Sequence, residues 1–521
     1  MSYLAAPRLH FFGEFIAEPS TINNDPSNFS GPIQDPGWNP NGNHRFAFAA
    51  TTVTSILKGG SLVTTGDPLI GGAVTTPGTP FAKLVDLDVD VQLASRIYGL
   101  QVQVADGAGN SVRGTMATAN FRDFSGARLL GIYQSTLGTL QWQVTGGSAL
   151  AALKTASPNL LSIRFIVDLY TGMSGGPHRG RLAGAIGPAT AAEPAHWVAG
   201  RRIVGTGKPS ALAELRGYTL TVDVGNVVPM TQDGGFAHPT LTVGVQEQAV
   251  DDVALKSGAA PFAVAAVPAG WRALGTVKTS IGRYKMTSGI ESLTLSAEDA
   301  ALCASAPLGL FTPNGAMLAA EDAEGLFVFP DPQAFPMDPG DQAGVVLTAL
   351  TFGQPAPARQ LDIDATLNPG DPGVTLPASV TTDAAGVATV SVKASDPGTP
   401  RGPIDGQVFG FGGDWSTRSG LTITGTNQSA VAVRVFSGFT APAAPKWADI
   451  QPLFTQYNTM FPAMAAIIDL SDLATVTANK ADIRSRLLLP LDDPGHMPVV
   501  RDLSAKKRAM IVAWIDAGCP A

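Results

Sequence analysis

The chain has 521 residues, 45% of them apolar and 15% charged, with a net charge of −8. That length exceeds what a single core serves and points to about two to four domains. The acidic balance, with no basic cluster, excludes nucleic acid and anionic membrane surfaces as partners, and the composition excludes a disordered chain.

The 58 glycines and 40 prolines favour short strands and turns over long helices. No stretch reaches the roughly 18 uninterrupted apolar residues of a spanning helix. The opening Met1–Arg8 lacks a charged segment followed by an apolar one, so a cytoplasmic location is expected. Cys303 and Cys519 make no disulfide framework and have no zinc-ligand spacing.

The first zone, residues 1–345, reads as strands and turns. Arg8 to Phe15 alternates, with Leu9, Phe11 and Phe15 on one side and Arg8, His10 and Glu14 on the other. Leu84–Val91 alternates too, placing Val85, Leu87, Val89 and Val91 on an apolar face and Asp86, Asp88 and Asp90 on a solvated one. Further strands are expected at Leu100–Val104, Leu140–Val144, Ser162–Asp168, Tyr218–Val224, Thr240–Gln246 and Glu291–Ser296. Sheet-on-sheet packing is the natural way to bury so many strands, so this zone is expected to be rich in β-sandwich.

The second zone, 346–440, has strands at Leu347–Thr351, Leu361–Ala365 and Val431–Phe436. Its Thr382-Asp383-Ala384-Ala385-Gly386 turn leads into alternating valines. The turn and valines resemble bacterial immunoglobulin-like modules, without a Cys–Trp–Cys core. A proline-punctuated linker, Ala441–Pro445, leads to a small all-α zone, 446–521, with helices expected at Trp447–Tyr457, Met460–Ile468, Asn479–Leu487 and Ser504–Ala517. The expected fold class is therefore mainly β with a small helical C-terminal domain.

Trp447 to Phe454, Ile468-Asp469-Leu470-Ser471, His496-Met497-Pro498 and Ile511 to Gly518 stand in the order of a small c-type cytochrome domain, which this segment resembles. Counted from Phe454, the positions of the two thioether cysteines and the haem-ligating histidine are Asn458, Phe461 and Pro462. Covalent haem attachment is thereby excluded. No cofactor is expected; the alternative is non-covalent haem with Met497 as ligand, against Met497 as a core filler.

A broader resemblance rests on Pro7-Arg8-Leu9-His10-Phe11, Pro19–Pro26, Gly42-Asn43-His44-Arg45-Phe46, Met173-Ser174, Leu182–Gly187, Gly200-Arg201-Arg202 and Leu220–Val228. Met497-Pro498 and Arg501–Lys506 complete it. These motifs are similar to the N-terminal half of the iminophenylpyruvate dimer synthases, the chromopyrrolate-type enzymes. That family continues into a ferritin-like half with iron ligands, where two imines are oxidatively coupled; this sequence has no counterpart of that half. The resemblance implies a non-catalytic or substrate-organising component of an oxidative biosynthetic system, with a separate ferritin-like or haem oxidase as partner.

The second reading is a stand-alone enzyme acting on an amino-acid-derived molecule. Here His10 and Glu14 serve as base and acid, Arg8 binds a carboxylate, and His44 comes in from the next segment. A third is a binding or adhesion protein. Other candidates have simpler readings as turns, solvated faces or chance spacing: Asn23-Asn24-Asp25 for calcium, Asp362 with Asp364, Gly172-Met173-Ser174-Gly175-Gly176 as a nucleophile elbow, and Glu193 with His196 as half of a di-iron motif.

Overall fold

The computed structural model describes residues 2–18, 42–88, 91, 94–125, 130–168, 179–205, 210–231, 234–247, 267–365, 373–421 and 430–521. It is mainly β, with helices concentrated at the C-terminal end. No described helix is long and apolar enough to cross a membrane.

The first sheet closes on itself. The strand Arg8–Glu18 pairs with both Arg179–Pro188 and Arg45–Lys58. From Arg179–Pro188 the antiparallel pairing runs through Leu161–Asp168, Leu130–Gln143, Ser111–Met116, Gln101–Ala105 and Ala73–Thr75 back to Arg45–Lys58. Eight strands thus form a ring, and apolar faces expected to need a second sheet are buried inside it. Phe46, Phe48 and Phe165 sit within 6.2 Å of one another, with Phe11, Phe15 and Tyr133 packed around them. Phe11 lies opposite Gly184 and Phe15 opposite Gly180 in register. A Cβ at Gly184 would come within 2.2 Å of the Phe11 ring, so glycine there is a packing requirement. The helix Ala149–Ala156, capped by Ser148, adds Leu150 and Leu153 to the same core.

A second, eight-stranded antiparallel sheet spans Arg201 to Glu321. Buried charges join it to the ring. Tyr3 donates to Asp223 at 2.9 Å, and Arg164, on the fully buried strand Leu161–Asp168, also pairs with Asp223. Arg202 pairs with Asp123 of the first sheet.

The third set of strands begins earlier than the sequence boundary at 346. Leu326–Asp331 pairs with Gln342–Thr351, and Ala334–Met337 runs parallel to Val431–Val435. One core, including Phe327, Val345, Val390, Phe409 and Val433, lies between these sheets. The boundary was hidden because Leu326–Asp331 is buried along nearly its whole length and shows no alternation.

The strand expected over Leu84–Val91 is confined to Lys83–Val85. Beyond it the chain turns inward. Asp88 is buried, accepts from Arg401 and lies 3.2 Å from Arg434 of the third module, so it is no part of a solvated face. Asp86 is half-buried beside the Ser95 hydroxyl, and burial pushes its carboxyl up to about 7. Asp90 lies outside the described residues.

Candidate ligand cavity

The helical segment comprises Trp447–Met460, Pro462–Ala465, Leu473–Ala478, Lys480–Leu488 and Ala505–Asp516. Ser504 caps the last helix by accepting from the Lys507 N–H, and Trp514 anchors it by donating to Pro520 O at 2.9 Å. Trp447, Phe454 and Trp514 form a ring cluster beneath, around which Ile450, Val476 and Ile511 are buried.

On the side facing the ring of strands these helices do not pack solid. A cavity of about 800 Å³ lies between them and the Gly42–Asn43 and Pro80–Lys83 segments. Its walls are chiefly apolar, with Phe461, Met464, Ile467, Ile483, Met497 and Val499 prominent. The volume falls in the range of small-molecule sites, roughly 300–1,000 Å³. Tyr457 holds one wall, stacking on Phe461 and donating to Asp502 at 2.7 Å. The fully buried His44 ring stands 6.1 Å from Phe461.

Met497, expected to fill the helical core, instead lines this cavity and is only half-buried. Phe461 lines it too, while Asn458 donates to Asp469 and Pro462 opens the short helix. His496 turns away: its Nδ1 lies 2.7 Å from Leu489 O and its Nε2 3.2 Å from the Arg508 guanidinium. Those partners fix a neutral ring protonated at Nδ1, and burial lowers its pKa to about 4. Among the described lining residues the groups able to ligate haem iron are Met497 and Tyr457, and the Tyr457 hydroxyl is engaged by Asp502.

The N-terminal candidates separate. Arg8 and His10 lie side by side, Arg8 Nε donating to His10 Nε2 at 3.1 Å, but both are buried in the interior. Burial and the Arg8 charge hold His10 neutral, well below its usual range. Glu14 faces Arg179 instead, at 3.6 Å. His44 bonds through its backbone N–H to Glu18 O, eight positions along the strand from His10, on the order of 25 Å away. Its Nδ1 donates to Leu84 O at 3.0 Å, and burial lowers its pKa to about 4. The structure therefore brings Arg8 and His10 together and leaves Glu14 and His44 elsewhere.

Glu193 accepts from Thr190, whereas His196 contacts Asp331 at 3.2 Å, so the two do not converge. Asp362 and Asp364 are exposed. Asn23, Asn24, Asp25 and the Gly172–Gly176 run lie outside the described residues. Among the described residues no group of three or more His, Cys, Asp or Glu side chains could hold a metal.

Sequence reasoning missed the cavity because its walls come from distant segments. The one available signal was apolar density at Phe461, Met464, Ile467 and Ile468.

No family model matches the chain, and no curated protein matches it. Among solved structures, a Salmonella alpha-2-macroglobulin reacted with methylamine aligns over 83% of this chain at 11% identity, with a TM-score of 0.12. The chain spans 28% of that protein's length. So low a score carries no argument about fold or function.

Proposed function

We propose that this chain is a small-molecule-holding protein, whose helical segment and first sheet enclose an apolar ligand. The observation that supports the reading is the cavity itself: about 800 Å³, walled mainly by hydrocarbon and thioether groups, beside a helical core that is otherwise well filled. Ile467 on its lining is exposed, so the hollow opens to solvent, and an apolar ligand that displaces water from such a surface gains free energy. In this reading the chain organises a substrate for chemistry done elsewhere. The resemblance to the non-ferritin half of the dimer synthases supplies the partner class, a separate ferritin-like or haem oxidase.

Fluorescence titration with Nile red, a neutral apolar dye, tests the holding role. Saturable micromolar binding, lost when Ala463→Phe and Met464→Trp fill the cavity, is the expected result. Dye binding unchanged in a folded filled variant would overturn it. The oxidase partnership is tested separately, by whether the chain alters the turnover of such an oxidase when mixed with it.

A further inference from the structure

The cavity is apolar, yet a buried amine stands in its wall. Lys83, at the start of the strand Lys83–Val85, is 9% exposed, and its Nζ donates to Asn43 O at 2.7 Å. Among the described residues it has no carboxylate within ion-pair distance. Arg45 sits opposite it in strand register, but the carboxylate of Glu18 lies 4.0 Å from Arg45 and is engaged there. Arg501 adds positive potential at Lys83, and Glu18 opposes it. Across the cavity Arg486, on the helix Lys480–Leu488, lines the wall with its guanidinium packed over Gly495. Asp482, one turn away, is the one carboxylate among the described lining residues, and Arg486 forms no ion pair with it.

An ammonium taken from water without a counter-charge is strongly disfavoured, and a matched anion recovers that loss through a charge-assisted hydrogen bond. Among the described lining residues Asp482 and Arg486 are exposed to solvent, so Lys83 is the buried charge that a ligand anion would compensate.

Resting on the ligand-holding reading above, we propose that the natural ligand is an apolar monocarboxylate. Its hydrocarbon or aryl body fills the helical side, and its carboxylate accepts from Lys83 and faces Arg486. Burial chiefly, with Arg501, lowers the basicity of Lys83 to about 8 against an opposing effect of Glu18, and a carboxylate placed beside it would offset that burial.

The test is displacement of Nile red by decanoate and by decan-1-ol, which share a chain and differ in charge. At pH 7 decanoate is expected to displace the dye about tenfold more tightly, the effect of one charge-assisted contact. Lys83→Met should weaken decanoate about tenfold and so bring the two ligands to near parity. Lys83→Arg should restore the preference, and Arg486→Met should reduce it in part. Equal displacement by both ligands in the native chain would overturn the carboxylate assignment and leave the apolar cavity standing. Displacement by neither would overturn the cavity reading itself.

Discussion

Asp88 accepts two hydrogen bonds from Arg401, at 2.6 Å and 3.0 Å, across 313 residues of sequence. Arg434 approaches the same carboxylate at 3.2 Å. All three groups are largely withdrawn from water, so removing the anion leaves two buried cations uncompensated. Asp88→Asn is expected to cost about 3–5 kcal/mol in urea unfolding. Asp88→Leu with Arg401→Met, which removes a pair together, should cost less than Asp88→Leu alone. Strictly additive losses would show that the pair is not coupled.

Gly184→Ala tests the glycine–phenylalanine register in the ring of strands. The new methyl would meet Phe11 at 2.2 Å and the Arg164 carbonyl at 2.8 Å. Overpacking of this kind costs about 1–3 kcal/mol. Phe11→Leu in the same chain should recover part of the loss, read as a rise in melting temperature over the single variant.

His10→Ala separates a structural from a catalytic role for that imidazole. It would leave the Arg8 Nε without its acceptor in a buried site, at a cost of about 1–3 kcal/mol. Affinity for Nile red should stay unchanged, since His10 is not among the residues lining the cavity. A loss of binding without loss of stability would reverse the assignment.

Acid sensitivity follows from the buried histidines. His44 and His496 are held at about 4 against 6.5 when unfolded. The unfolded chain therefore binds more protons between those values, so the stability each contributes is complete above pH 6.5 and lost as pH falls towards 4. Asp86, raised to about 7 from 3.8, has the opposite sign: it destabilises the fold as pH rises through that window. Urea midpoints should fall from pH 6.5 to pH 4, by about 1–3 kcal/mol for each histidine. His44→Gln with His496→Gln should flatten the curve, and Asp86→Asn should steepen it. A profile that neither the double histidine variant nor Asp86→Asn alters would count against all three.

Much of the fold was legible where one strand face meets solvent or a single residue type marks a turn. The strands around Leu9–Phe15, Val102–Val104 and Val387–Val392 showed through their alternation. Arg45–Lys58 did not, because Ala49, Ala50, Thr51 and Thr52 interrupt its pattern where the pairing with Arg8–Glu18 shifts register. Closure into a ring was illegible: it depends on which strands pair, and residues 8–18 pair on both sides with partners remote in sequence. The Asp86–Asp90 run misled for a related reason, since a solvated face and a buried ion-pair site read alike until the arginines at 401 and 434 are placed. The cavity was the least legible feature, assembled from loops near Asn43 and Lys83 and helices more than 400 residues further on.

The buried ion pairs also set a schedule. Asp123 lies in the first sheet and Asp88 just beyond its strand Lys83–Val85, but Arg202 and Arg401 are made later in synthesis. At about 5–20 residues per second, the 313 residues between Asp88 and Arg401 represent roughly 15–60 s of translation. Through that interval the loop carrying Asp88 has no counter-charge to draw it inward. The ring of strands can close on its aromatic core early, while the Asp88 loop stays hydrated until the last strands arrive, so final docking is a late event governed by the C-terminal third of the chain.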